Sequence, residues 1–212
     1  MKERGMIFND EMVRAILDGR KTQTRRPVKN VGPDNCLVIH KPTKKRDGIY
    51  THVKDAPKHG LCPFGSVGDR IWVREAYQGP LFDYEQMEAY LKDSSKFEKP
   101  EFCVYRADGQ PAPEFYDADD NLHCCWRPSI HMPRWASRIT LEITDVRIEK
   151  LASISNEDAG KEGYPANQND GGSMDKWLWF RQLWDSIYPE QTFKHNPWVW
   201  VIEFKRVEGD NQ

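Results

Sequence analysis

Apolar residues at Met12, Val13, Ile16 and Leu17 fall three and four apart, the spacing of one buried helical face, and Gly19 stands where such a helix would be capped. The period then changes. Thr22, Gln23 and Thr24 favour extended chain and Pro27 disfavours helix at Arg26, so a short strand follows, with Thr22, Thr24 and Arg26 expected on one of its faces. Residues 71–77, 102–106, 139–148 and 199–204 carry β-branched or aromatic alternation and read as further strands. Residues 175–187 return to helical spacing, with Leu178, Leu183 and Ile187 among the apolar positions. Polar tracts bearing proline and glycine separate these elements near 28–63, 78–135 and 164–174, and no internal repeat is evident. The expectation is an α+β chain: one domain over residues 1–212, a small β-barrel with flanking short helices and long loop insertions.

Composition narrows the class. A chain of 212 residues that is 38% hydrophobic buries a substantial core, whereas 30% charged residues and a mean hydropathy of −0.80 imply a polar surface. No apolar run approaches the roughly 18 residues of a membrane span, and the N-terminus lacks a signal-peptide stretch, so no membrane contact and a cytoplasmic setting are expected. Five cysteines, Cys36, Cys62, Cys103, Cys124 and Cys125, suggest reduced thiols rather than a disulfide framework. His123, Cys124, Cys125 and His131 offer soft ligands without the paired spacing of a zinc knuckle, so neither a metal nor a cofactor is expected.

The net charge of −2 is unevenly spread. Residues 83–121 hold eleven acids against four bases, a segment repelled by a phosphate backbone. Arg20, Lys21, Arg25, Arg26 and Lys29 instead form a basic run, which needs an anion or a distant carboxylate to balance it. Arg127, Arg134 and Arg138 add a second basic stretch. A pI of about 6.3 argues against a dedicated duplex binder and suits a small substrate or a locally gripped nucleotide.

The helix followed by Gly19-Arg20-Lys21-Thr22-Gln23-Thr24-Arg25-Arg26 resembles the signature of ASCH domains, a branch of the PUA-like superfamily of small β-barrels. Further stretches agree in order: Gly68-Asp69 running into a strand, residues 138–151 as the long central strand, residues 155–163 as a short helix carrying an acid, and residues 198–207 as the closing strand. Residues 125–136 add a likeness to larger ASCH proteins of bacteriophages and prophages, which would place the chain in a bacterial host cell.

The resemblance implies chemistry as well as fold. Bacterial ASCH proteins that act as N(4)-acetylcytidine amidohydrolases use a lysine, a threonine and a glutamate, which fall here on Lys21, Thr24 and Glu162, with Arg26 matching a following arginine. In that scheme Thr24 attacks the amide carbon, Lys21 takes its proton, Arg26 faces the oxyanion and Glu162 protonates the leaving cytosine nitrogen. Thr22, Arg25, Glu75, Trp72, Trp135 and Tyr164 are the expected substrate-binding residues, the aromatic ones by stacking on a base. Arg25 departs from the apolar residue those enzymes carry. The function expected is removal of an acyl group from the exocyclic nitrogen of cytidine or a related modified nucleoside. The alternative is a non-catalytic module that binds RNA, single-stranded DNA or a modified base, the same basic pocket gripping a phosphate and a flipped base; the plainest reading of the motif is a surface ion pair of Lys21 with Glu162 closing the barrel, with Thr24 as a strand residue. Either way the partner is a modified nucleoside or single-stranded nucleic acid.

Overall fold

The computed structural model describes residues 1–116, 121–165 and 174–207, the side chains of Met174 and Asp175 excepted. The acidic residues Asp117, Asp119 and Asp120, and most of the connection near 164–174, lie outside the described residues. Eleven strands are described: β1 (Glu3–Ile7), β2 (Gln23–Pro27), β3 (Cys36–His40), β4 (Ile49–His52), β5 (Arg70–Arg74), β6 (Tyr77–Gln78), β7 (Val104–Tyr105), β8 (Glu114–Tyr116), β9 (Leu122–Cys124), β10 (Thr140–Lys150) and β11 (Trp198–Arg206). Four α-helices accompany them: α1 (Asp10–Leu17), α2 (Met87–Lys92), α3 (Asn156–Lys161) and α4 (Met174–Ile187). Asn9 caps α1 by accepting the Met12 amide at 2.8 Å, and Gly19 leaves it at φ 74°.

One mixed sheet in the order β1-β5-β10-β11-β2 organises the molecule; β1 runs parallel to β5, and the remaining pairs are antiparallel. Its main core lies where Ile71, Val73, Leu141, Ile143, Trp200, Ile202 and Phe204 meet Val13 and Ile16 of α1. On the opposite face Val199 and Val201 pack with Ala159 of α3 and with Phe180 and Trp184 of α4. A smaller cluster holds Tyr77, Tyr105, Met132 and Ala136. The tract near 28–63 contributes to the main core, because Leu37, Val53, Ala56 and Cys62 are all buried in it.

The closed barrel expected from strand density is not what the ladders describe. β1 and β2 end the sheet, and among the described residues no ladder joins them. A side chain occupies the gap instead: Arg26 of β2 donates from Nη2 to the Ile7 carbonyl at 2.7 Å and lies 5.4 Å over the Phe8 ring.

A bulge in β10 decides which side chains go where. Pairing with β11 slips between Ile143 and Asp145, leaving Thr144 as the extra residue. Before the slip the odd-numbered Leu141 and Ile143 enter the main core; after it the even-numbered Val146 and Ile148 pack against that core. Asp145, Arg147 and Glu149 are thereby sent to the opposite face, toward β2 and α3.

Candidate functional site

The bridge between Lys21 and Glu162 joins the segment before β2 to the end of α3. Lys21 donates from Nζ to Glu162 Oε2 at 2.9 Å, to the Glu162 carbonyl at 2.8 Å and to the Gln23 carbonyl at 2.9 Å, so all three ammonium protons are used. Gly163 makes the approach possible. At φ 105° it adopts a left-handed turn, and a Cβ there would stand 2.9 Å from Ala15 Cβ and 3.3 Å from Lys21 Cβ. Burial pushes the Lys21 ammonium below its ordinary range, with Glu162 pulling in the opposite direction.

Arg25 completes the cluster. It donates from Nη1 to Glu162 Oε1 at 3.1 Å and from Nη2 to Asp158 at 3.2 Å and Glu149 at 3.3 Å. Arg147 continues the ladder to Glu149, Asp158, Asp145 and Glu203, and reaches the Gln23 side chain. Within the basic run, Lys21 and Arg25 are therefore balanced by carboxylates brought from α3, its C-terminal end and β10. With its side chain 1% exposed, Arg25 is a structural partner of Glu162 and cannot reach a ligand in this arrangement.

The ladder register separates the remaining motif residues. Gln23 and Arg25 stand across from Glu203 and Val201, on the face of α3 and α4, whereas Thr24 and Arg26 stand across from Ile202 and Trp200, on the main-core face. Among the described residues no side-chain hydrogen bond joins Thr24 to Lys21 or Glu162. Thr22 is exposed, its carbonyl accepting the Phe204 amide, and so does not join Thr24 and Arg26 in lining one pocket.

The other expected binding residues, Tyr164 beside Glu162 excepted, lie apart from this cluster. Glu75 is fully buried and held by two bonds from Arg138, at 3.0 and 3.1 Å. Burial raises the Glu75 carboxyl above its usual range while Arg138 opposes the shift. Trp135 packs half-buried beside Tyr77 and Tyr105, and Tyr164 meets Trp179 edge to face at 5.5 Å. Trp72 is half-buried with the Arg74 guanidinium 5.3 Å over its ring. Arg134 is tied to Glu3 and Thr140.

Two cavities border the motif, one on each side. Glu162 lines a cleft of about 360 Å³ with Arg14, Arg20 and Trp179. Arg26 lines a cavity of about 610 Å³ at the gap between β1 and β2, with Lys29, Arg74, Phe64, Tyr188 and Glu190. Three cations thus face one acid in the second cavity. Arg26 is oriented there by Tyr188, whose hydroxyl accepts from Nη1 at 3.2 Å, and Arg74 donates to the Ile130 carbonyl. The Nε atoms of both arginines are buried without a hydrogen-bond partner. Sequence reasoning missed Arg74 and Tyr188 because no local motif links them; only the pairing of β1 with β5 and the end of α4 bring them to Arg26.

All five cysteines are free, among the described residues no group of three or more His, Cys, Asp and Glu side chains is arranged to hold a metal, and no described helix is long and apolar enough to cross a membrane. No protein-family model matches the chain, and no curated protein matches it. A solved structure described as a high-resolution crystal structure of an ASCH domain from Lactobacillus crispatus JV V101 aligns over 97% of this chain and 79% of that one, at 11% identity and a TM-score of 0.38. Agreement at that level is too partial to bear on architecture, ligand or chemistry.

Proposed function

We propose that this chain is a nucleic-acid-binding module of ASCH type, one domain over residues 1–212 working in the cytoplasm, which takes single-stranded RNA or DNA in the groove between β1 and β2. The observation that carries this reading is the cavity where Arg26, Lys29 and Arg74 face a single carboxylate beside Phe64 and Tyr188. Cations supply attraction to phosphate and aromatic faces supply sequence-tolerant stacking, which a duplex would deny by hiding its bases. The sequence resemblance in residues 19–26 supports the same class of ligand.

Removal of an acyl group from the exocyclic nitrogen of cytidine is the second reading, favoured by the 2.9 Å contact of Lys21 with Glu162 and by the lowered proton affinity of Lys21. It requires Lys21 to give up a proton while three acceptors hold it, and Thr24 to reach a substrate from the opposite strand face. Binding therefore accounts for more of the geometry.

Fluorescence anisotropy with a labelled single-stranded oligonucleotide, run beside mass analysis of N(4)-acetylcytidine incubated with the protein, separates the two. Binding should be single-strand selective and unchanged in Thr24→Val, with acetylcytidine intact. Turnover that disappears in Thr24→Val would establish the amidohydrolase and overturn the binding-only reading.

A further inference from the structure

A cavity of about 520 Å³ adjoins the groove on the far side of Lys29. Lys29, Lys150, His195, Gln191, Asn196 and Trp198 are among its lining residues, and the lining includes no aspartate or glutamate. Most cations near the motif are matched to carboxylates, as in the Arg25 and Arg147 ladder. Here they are not: Lys29 and Lys150 in the lining, and Lys54 on the Trp198 ring, have no ion-pair partner among the described residues. Lys150 Nζ lies 4.5 Å and Lys54 Nζ 5.9 Å from the Trp198 ring centroid, so two ammonium groups converge on one indole.

The lining is held in place. Asn196, in a left-handed turn at φ 45°, accepts the Ala152 amide on its side chain at 2.8 Å, and its carbonyl takes one long bond from Lys150 at 3.4 Å. That bond occupies one of three ammonium protons, leaving two for a ligand. His195 uses Nδ1 with Thr192 at 3.0 Å, which leaves Nε2 for another partner. Trp198 is fixed from behind by its Nε1 bond to Asn35 at 2.8 Å. The nearest carboxylate on the same strand as Lys150, Glu149, is turned to the other face, where Arg25 and Arg147 hold it.

We propose that the cavity bounded by Lys29, Lys150, His195 and Trp198 is a phosphate-binding site. Tetrahedral oxyanions suit two lysine ammonium groups, Lys29 and Lys150, lining one cavity with the His195 imidazole and amide donors at Gln191 and Asn196. Lys29 and Gln191 line both this cavity and the groove, so a phosphate here can belong to a polynucleotide strand leaving the groove or arrive as a free phosphate compound. The lining itself does not depend on the nucleic-acid reading; only the first of these two sources does.

The test follows the Trp198 indole resonance by nitrogen-15 NMR, assigned by its loss in Trp198→Phe, during titration with inorganic phosphate and pyrophosphate against chloride at matched ionic strength. A saturable shift is expected, weakened about tenfold or more in Lys150→Gln and retained in Arg74→Gln. Absence of a saturable shift with both probes, or one unchanged in Lys150→Gln, overturns the site. Single-stranded tetramers with and without a 5′ phosphate then identify the source. Equal shifts assign the site to a diester, and a shift confined to the phosphorylated tetramer or to the inorganic probes assigns it to a terminal or free phosphate. A phosphate shift without oligonucleotide binding would leave the site standing while removing the groove reading; oligonucleotide binding without any phosphate shift would do the reverse.

Discussion

Glu162 carries two buried cations on one carboxylate, whereas Lys21 is one of two cations on that carboxylate, and this asymmetry sets what each substitution does. Removing the charge in Glu162→Gln leaves Lys21 and one side of Arg25 uncompensated, a loss of about 3–5 kcal/mol for a broken buried pair. Lys21→Met removes a buried charge while Arg25 still neutralises Glu162, so it should cost clearly less. Urea denaturation of both variants checks the order, and equal losses would mean that Arg25 does not share the carboxylate. The pairing of Lys21 with Glu162 was legible in the sequence, through the resemblance of residues 19–26 and 155–163. The role of Arg25 was not. A guanidinium reads as a surface charge until the fold shows that Asp158 and Glu149 come to meet it, and those partners lie more than a hundred positions away.

At the scale of elements, helix α1, strand β11 and much of α4 announce themselves by period alone. The bulge in β10 was also written in the sequence, as the change from Ile139, Leu141 and Ile143 to Val146 and Ile148, but a single alternating strand was the simpler reading. Strand β1 was missed because only Met6 of its five residues is buried. Closure of the barrel depends on how β1 meets β2, where no ladder joins the described residues and Arg26 reaches across with a side chain. The turn before β5 makes a testable case of pH dependence. Asp69 accepts the Lys2 amide at 2.8 Å and the Ser66 amide at 3.1 Å, and these bonds hold its carboxyl below the usual range. A folded value below the unfolded one means that this stabilisation is present above the ordinary carboxylate pKa and is lost as pH falls through the lower, folded value. Thermal unfolding followed from neutral to acid pH should therefore show a shallower acid decline in Asp69→Asn than in the parent protein. An identical decline would assign the acid limb to other carboxylates.

For the whole molecule, the net charge of −2 conceals a division between an acidic stretch at 83–121 and the carboxylate-poor surface formed by Arg26, Lys29, Arg74 and Lys150. Composition gave the division but not its geometry, because Lys29, Arg74 and Lys150 are far apart in sequence and meet only through the sheet. The most direct measurement of the binding account is the salt dependence of single-stranded oligonucleotide affinity in the parent protein, Lys29→Gln and Arg74→Gln. If these side chains neutralise phosphates, each substitution should lower affinity and flatten the slope of log K against log salt by about 0.7, the contribution of one phosphate contact on a single strand. Slopes and affinities indistinguishable from the parent would contradict the account and exclude the groove between β1 and β2 as the nucleic-acid site.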